Sequence, residues 1–215
     1  MGGGRRFELV YHGELAGMSN TRPLFAALVQ GLESSSSDLG GRDVHIVNAT
    51  LIAKDRGIVI DEKHVRDGGA VGTYASAVTL QSLSATGEAQ ERQAIEGYVS
   101  GNAVYISKLG RFAANFQPVG TLLVLHNYDE PGKIGNVGTV LGQHGVNVRS
   151  MQVAALEREV AQPPAVVVDG PVEFAEGHAS NEALMILGVA GDVTPDVLGQ
   201  LAKAEGILDV SLVRL

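Results

Sequence analysis

The hydrophobic pattern of the first third of the chain predicts a strand followed by two short helices. Polar and apolar residues roughly alternate over residues 7–14, as in a half-buried strand. Apolar residues recur on one face of residues 22–32, with Pro23 in the first turn, which predicts a helix with Thr21 as its cap. A second helix is predicted from the cap Asn48 to Lys54, with its stop at Gly57.

The next segments predict a sheet. Strands are predicted at residues 58–65, 73–83, 90–100 and 103–109, separated by glycine-bearing turns or by the glycine-rich, charged stretch 66–72. Residues 33–41 include four consecutive serines and should form an exposed loop. The succession of the last three strands favours an antiparallel arrangement.

A different pattern begins after residues 117–120. Strand-like segments 121–126, 146–156, 183–189 and 207–215 alternate with helical segments 132–144 and 195–204. This β-α-β-β-α-β order is typical of the ferredoxin-like fold, in which two helices cover one face of a four-stranded antiparallel sheet and the other face is open to a partner. We therefore predict an α+β protein with domains at residues 5–117 and 121–215, and an unusually long connection at 161–180.

Composition narrows the possible functions. Every apolar run is interrupted before the roughly 18 residues of a membrane span, so a soluble globular protein is expected. A net charge of −8 with scattered basic residues opposes nucleic-acid binding. The absence of cysteine excludes disulfides and thiolate chemistry. The start of the sequence lacks the features of a secretory signal, which favours a cytoplasmic location.

The turn between the predicted strand 121–126 and the helix 132–144 has candidate binding chemistry. The unpaired amides and positive end of a helix attract an anion, and Pro131 and Gly132 would keep this turn rigid and uncrowded. Asp129 could accept an α-ammonium, and Asn147 offers both a donor and an acceptor. These groups suit a polar amino acid, although Asp before Pro-Gly is also ordinary turn chemistry.

Two blocks of sequence resemble known families. HNYDEPGKIG at 126–135, followed by LGQHGVNV at 141–148, resembles an ACT domain, and the resemblance extends over residues 121–215. GELA at 13–16, VNA at 47–49 and AKDRGI at 53–58 resemble the intervening domain of long-form D-3-phosphoglycerate dehydrogenases. Together they suggest the C-terminal regulatory region of such an enzyme, in which other domains oxidise 3-phosphoglycerate with NAD during L-serine biosynthesis.

The resemblance implies a site for L-serine at the interface between two paired ACT domains, and hence a homo-oligomer under feedback control. The implied ligand-binding residues are Asn127, Asp129, Pro131, Gly132, Ile134, Gly135 and Asn147. Because relatives often carry a larger histidine or tyrosine in place of Asn127, a different amino acid remains open. An anion site is known in the first domain of some relatives. Its incompletely matching counterparts here, which could equally be solvated surface, are Lys54, Arg56, Lys108 and Arg111.

No catalytic residues or bound cofactor are expected in this chain. A dinucleotide site needs G-x-G-x-x-G between a strand and a helix, whereas Gly132, Gly135 and Gly138 are spaced by three and lie where a helix is predicted. The six histidines have no metal-site spacing, so no metal site is expected. Two other interpretations remain: a regulatory subunit related to serine dehydratase, and an oligomerisation module that binds no ligand.

Overall fold

A computed structural model describes residues 5–34, 43–66, 74–83, 93–156 and 181–215. The chain divides into two compact units, Met1–Gly110 and Arg111–Leu215. Three segments discussed above lie largely or wholly outside the described residues: the serine-rich loop, the stretch 66–72 and the long connection 161–180. Among the described helices, none combines the length and hydropathy needed to cross a membrane.

The first unit is a sheet with two helices on one face. The strands of this unit lie in the order β2-β1-β3-β4-β5, and the neighbouring pairs are antiparallel except for the parallel pair β1–β2. That pair is parallel because both helices lie in the connection between its strands. The elements are β1 (Arg5–Gly13), a 3₁₀ turn (Glu14–Gly17), α1 (Arg22–Ser34), α2 (Ala49–Asp55), β2 (Ile58–Val65), β3 (Ser76–Leu83), β4 (Ala94–Ser100) and β5 (Ala103–Leu109).

The helix starts of this unit differ in detail from the sequence prediction. Asn48 occupies the position before α2, but its side chain accepts a hydrogen bond from the His45 amide at 2.6 Å and makes no capping bond to the helix. At α1 the amide of Arg22 donates to the side chain of Asn20, 3.2 Å away, while the Thr21 carbonyl accepts from the helix. Short polar side chains compete for the same orphan amides, so sequence alone does not decide which one bonds.

The second unit has the predicted ferredoxin-like topology. The strand order is β10-β7-β9-β8, with every pair antiparallel, which confirms the predicted α+β fold class. The elements are β6 (Phe112–Phe116), β7 (Thr121–Tyr128), α3 (Lys133–Gln143), β8 (Asn147–Ala155), β9 (Glu182–Ala190), α4 (Pro195–Ala202) and β10 (Ile207–Arg214). The short strand β6 was not predicted, because its Ala-Ala-Asn centre has little strand preference. The domain limits 5–117 and 121–215 stay a prediction.

The core of the second unit lies between the sheet and its two helices. Leu123 and Leu125 of β7 pack there with Val137 and Leu141 of α3. The central strand β9 is buried on both faces, which explains its nearly continuous apolar run. The opposite sheet face is less open than expected, because Ile186 is buried there and Phe112 packs edge-on against His126.

Candidate functional site

The turn that follows β7 presents free amide groups to solvent. Gly132 has a left-handed backbone (φ 90°) and immediately precedes α3, a conformation that favours glycine. The Asn136 amide bonds the Gly132 carbonyl, whereas the amides of Ile134 and Gly135 have no hydrogen bond to a described carbonyl. Both residues are exposed, as are Pro131 and Gly132. The start of α3 can therefore accept an anion.

Asn127 contributes an unusual buried polar atom near this turn. It is the penultimate residue of β7 and only 2% exposed. Its Nδ2 donates to the Tyr128 carbonyl at 2.7 Å, and its Oδ1 has no hydrogen-bond partner among the described residues. Leaving a buried acceptor unsatisfied costs about 1–3 kcal/mol, so such a group needs an explanation. A donor supplied by a ligand would explain it.

Asp129 is held by its backbone, which leaves its carboxylate exposed. The Asp129 amide donates to the Asn181 carbonyl at 2.7 Å, and the Asn181 side chain donates back to the Asp129 carbonyl at 2.6 Å. Within the described ranges the carboxylate of Asp129 forms no ion pair. It can therefore receive a cationic group from solvent, as expected for an α-ammonium.

The structure does not bring Asn147 to this turn. Asn147 begins β8 and pairs with Ala190 at one end of β9, whereas Asn127 pairs with Ala183 near the other end. Seven residues of extended strand separate those positions, which corresponds to roughly 23 Å. Within one chain Asn147 therefore lies well away from this turn. Strand β9 lies between β7 and β8, and these two parallel-running strands start at the same end of the sheet.

The predicted anion-binding residues of the first domain do not form one site. Lys54 and Arg56 lie at the end of α2, which packs near the edge strand β2, and Arg56 pairs with the carboxylate of Glu33 at 3.2 Å. Lys108 is on β5, three strands beyond β1 in this sheet. Arg111 belongs to the second unit, where it pairs with Glu182. Their charges are therefore dispersed, and two of the four are already offset.

A cluster that sequence reasoning missed joins β6, β7 and β9. The Glu182 carboxylate accepts from Arg111 and lies 2.6 Å from Nε2 of His126, and Arg111 and His126 both contact the Phe112 ring. Burial acts to raise the pKa of Glu182, but the hydrogen bonds and charges of Arg111 and His126 outweigh it and lower the pKa below its ordinary value. The signal available in sequence was a glutamate at the start of an otherwise apolar strand.

This cluster predicts an acid-dependent contribution to stability. Replacing Glu182 with glutamine should lower the free energy of unfolding by about 1–2 kcal/mol at pH 7. A carboxyl group whose pKa is depressed by folding stabilises the native state above its unfolded pKa, and this contribution is lost as the pH falls through the lower folded value. The difference between the two proteins in urea unfolding should therefore shrink as the pH falls below the ordinary glutamate pKa of 4.5. An equal difference at pH 7 and pH 3 would contradict this account.

Fold and site together define a class of protein: an α+β chain of two compact units whose second unit has a ferredoxin-like fold, with a buried amide oxygen near a helix start that has no partner among the described residues. Residues 4–105 match the family model of the D-3-phosphoglycerate dehydrogenase intervening domain. The D-3-phosphoglycerate dehydrogenase of Synechocystis is 31% identical over the whole chain, and that of Methanocaldococcus jannaschii 28% identical over 98% of it. The enzyme of the same name from Bacillus subtilis is 25% identical over 95%.

The chain spans about a third of the length of these relatives, 34%, 34% and 33% respectively. It is therefore similar, along essentially its full length, to the C-terminal third of D-3-phosphoglycerate dehydrogenases, and its first domain matches their intervening domain. This confirms the resemblance read from the GELA, VNA and AKDRGI segments.

Proposed function

We propose that this chain is the regulatory region of a D-3-phosphoglycerate dehydrogenase, and that its ACT-like domain binds a polar amino acid, L-serine first among the candidates. In this proposal the chain itself is not catalytic, and the oxidation of 3-phosphoglycerate with NAD takes place in other domains of the protein. The similarity to only a third of enzymes bearing that name supports this division. The proposal includes a cytoplasmic location.

The observation that carries the proposal is the buried, unsatisfied Oδ1 of Asn127. The ammonium or the hydroxyl group of serine can donate to this atom. The α-carboxylate can then accept from the free amides of Ile134 and Gly135, and the exposed carboxylate of Asp129 can attract the ammonium. Each group of the ligand thus has a complementary group at this turn.

The position of Asn147 supports a site shared by two copies of the chain. A residue roughly 23 Å along the sheet cannot contact the same small ligand as Asn127. A second copy, related by a two-fold axis, would place its own Asn147 opposite the turn of the first and would create two equivalent sites. The ligand would then join two ACT-like domains. Joining them favours one arrangement of the catalytic domains, with a typical coupling free energy of about 1–3 kcal/mol.

Calorimetric titration of the 215-residue chain tests binding. L-serine is expected to release heat and to bind with one site per chain, while amino acids with large apolar side chains are expected to bind more weakly. Because each complete site uses groups of two copies, sedimentation should show at least a dimer. If none of the twenty common amino acids gives heat, the chain is an oligomerisation module without a ligand, and the proposal fails.

A mixture of two variants that do not bind L-serine tests whether each site is shared by two copies of the chain. Asn127→Leu and Asn147→Ala should each lose L-serine binding, since each removes one half of every site. After the two are refolded together, half of the dimers combine one copy of each, and one of the two sites in such a dimer is intact, so about a quarter of the sites should recover. If no binding sites recover, both residues act within one chain, and the shared site is contradicted.

A further inference from the structure

Lys133 places a buried positive charge directly at the start of α3. Its side chain is only 10% exposed, and its ammonium donates to the Glu205 carbonyl at 2.8 Å. The Lys133 side chain passes over Gly206, the residue before β10, so closely that a Cβ on Gly206 would overlap the ammonium. The Gly206 carbonyl in turn accepts from the amide of Tyr128, the residue after Asn127. Lys133 therefore lies beneath the candidate ligand-binding turn.

The position of the Lys133 ammonium is electrostatically unfavourable unless an anion is close to it. A lysine in the first turn of a helix is repelled by the positive end of the helix, and a buried ammonium loses most of its hydration. A carbonyl oxygen supplies a hydrogen bond to the ammonium but no negative charge. The charge is offset by Glu130, whose Oε2 lies 3.0 Å from Nζ.

Glu130 reaches this ammonium from the solvent side. Its side chain is 50% exposed, and it belongs to the same turn as Asp129 and Pro131. Because Nζ is nearly buried, Glu130 can leave this ammonium at little cost only when another carboxylate takes its place. The half-exposed position of the Glu130 carboxylate is one that a ligand carboxylate could reach from solvent. The free amides of Ile134 and Gly135 follow Lys133 directly in the chain.

We propose that Lys133 is an additional ligand-binding residue that takes the α-carboxylate of the amino acid, and that Glu130 occupies the same position when no ligand is bound. Glu130 is thus an internal competitor that sets the affinity of the site. Lys133 and the amides of Ile134 and Gly135 together provide three donors for two carboxylate oxygens. Asn127 Oδ1 remains available for the ammonium or hydroxyl group. This inference rests on the proposed binding of an amino acid at the turn.

The roles of the two residues predict opposite effects on affinity, measured by calorimetry on the whole chain with L-serine. Lys133→Met removes the cation but keeps an unbranched chain across Gly206, and should weaken binding about tenfold or more. Glu130→Gln keeps a hydrogen-bond acceptor but removes the competing charge, and should tighten binding about threefold. The matched controls Lys203→Met and Glu14→Gln change exposed residues outside the turn and should bind as the unchanged protein does.

A second probe identifies which ligand group Lys133 contacts. 2-Aminopropane-1,3-diol has the ammonium and hydroxyl groups of serine but no carboxylate, so its weaker binding should be the same in the unchanged protein and in Lys133→Met. If Lys133→Met proves unfolded by circular dichroism, the Glu130→Gln result decides alone. Unchanged or weakened L-serine binding in Glu130→Gln overturns the competition. If the unchanged protein binds no amino acid, the proposed function itself has failed, which is a different outcome.

Discussion

Replacing Asn127 with leucine is expected to weaken L-serine binding strongly without a large loss of stability. Leucine has the same branching at Cγ as asparagine, and the substitution removes a buried acceptor that has no partner among the described residues. Without Oδ1 the ligand loses one hydrogen bond, and its binding should weaken about a hundredfold, because a hydrogen bond from a charged donor is worth about 1.5–3 kcal/mol. The free energy of unfolding should change by less than about 1 kcal/mol, since the desolvation cost of Oδ1 disappears together with the hydrogen bond from Nδ2 to the Tyr128 carbonyl. Calorimetry and urea unfolding measure the two effects.

A fully bonded buried polar residue provides the contrast. Ser107 is buried in the first unit and donates to the Glu96 carboxylate at 2.7 Å. Ser107→Ala should lower the free energy of unfolding by about 1–3 kcal/mol, because Oε1 of the buried Glu96 then loses its donor while Thr79 still donates to Oε2, and should leave serine binding unchanged. A polar atom kept for folding costs stability when it is removed, whereas one kept for a ligand does not. If Asn127→Leu destabilises the chain as much as Ser107→Ala does, Asn127 has a structural role and the binding account is weakened.

Substituting Gly13 with alanine should give the largest loss of stability. Gly13 ends β1 with φ 64° and ψ −129°, a backbone region essentially restricted to glycine. A Cβ at this position would collide with the carbonyl oxygen of Ala75, which accepts the Glu14 amide at 3.1 Å. The carbonyl oxygen and carbon of Ala75 belong to a hydrogen-bonded backbone, so they cannot move away from the added Cβ at low cost. We expect the free energy of unfolding to fall by about 3 kcal/mol or more, measured by urea unfolding.

Gly101 separates the two components of that loss. It also has a positive φ, 60°, but no atom lies within contact distance of the position of its Cβ. Gly101→Ala should therefore cost only the conformational component, about 1 kcal/mol. Equal losses for the two variants would show that the collision with Ala75 contributes nothing. The comparison also gives a physical reason for the glycine in the GELA segment, by which the first domain was recognised.

The sequence determined most elements of both units and the topology of the second, because the signals for them are local. The parallel pairing of β1 with β2 was not predicted. The apolar run of residues 183–189 predicted a strand, and β9 is that strand, buried on both faces. Gly57 predicted the end of α2 and has the positive φ that such a stop requires, 66°. The strand order of the second unit then follows from the β-α-β-β-α-β sequence of elements, since the ferredoxin-like arrangement packs both helices on one face.

Only the tertiary structure decided the arrangement of the candidate site. Lys133 was not recognised from sequence because its partner carbonyl at Glu205 is 72 residues away, and whether a lysine is buried depends on what packs over it. Asn127 and Asn147 were both identified as candidates, yet their separation depends on β9 lying between their strands. Local periodicity specifies which residues share a face. Which residues meet at a point is set by strand pairing and packing between segments far apart in the chain, and these decide how the candidate site is arranged.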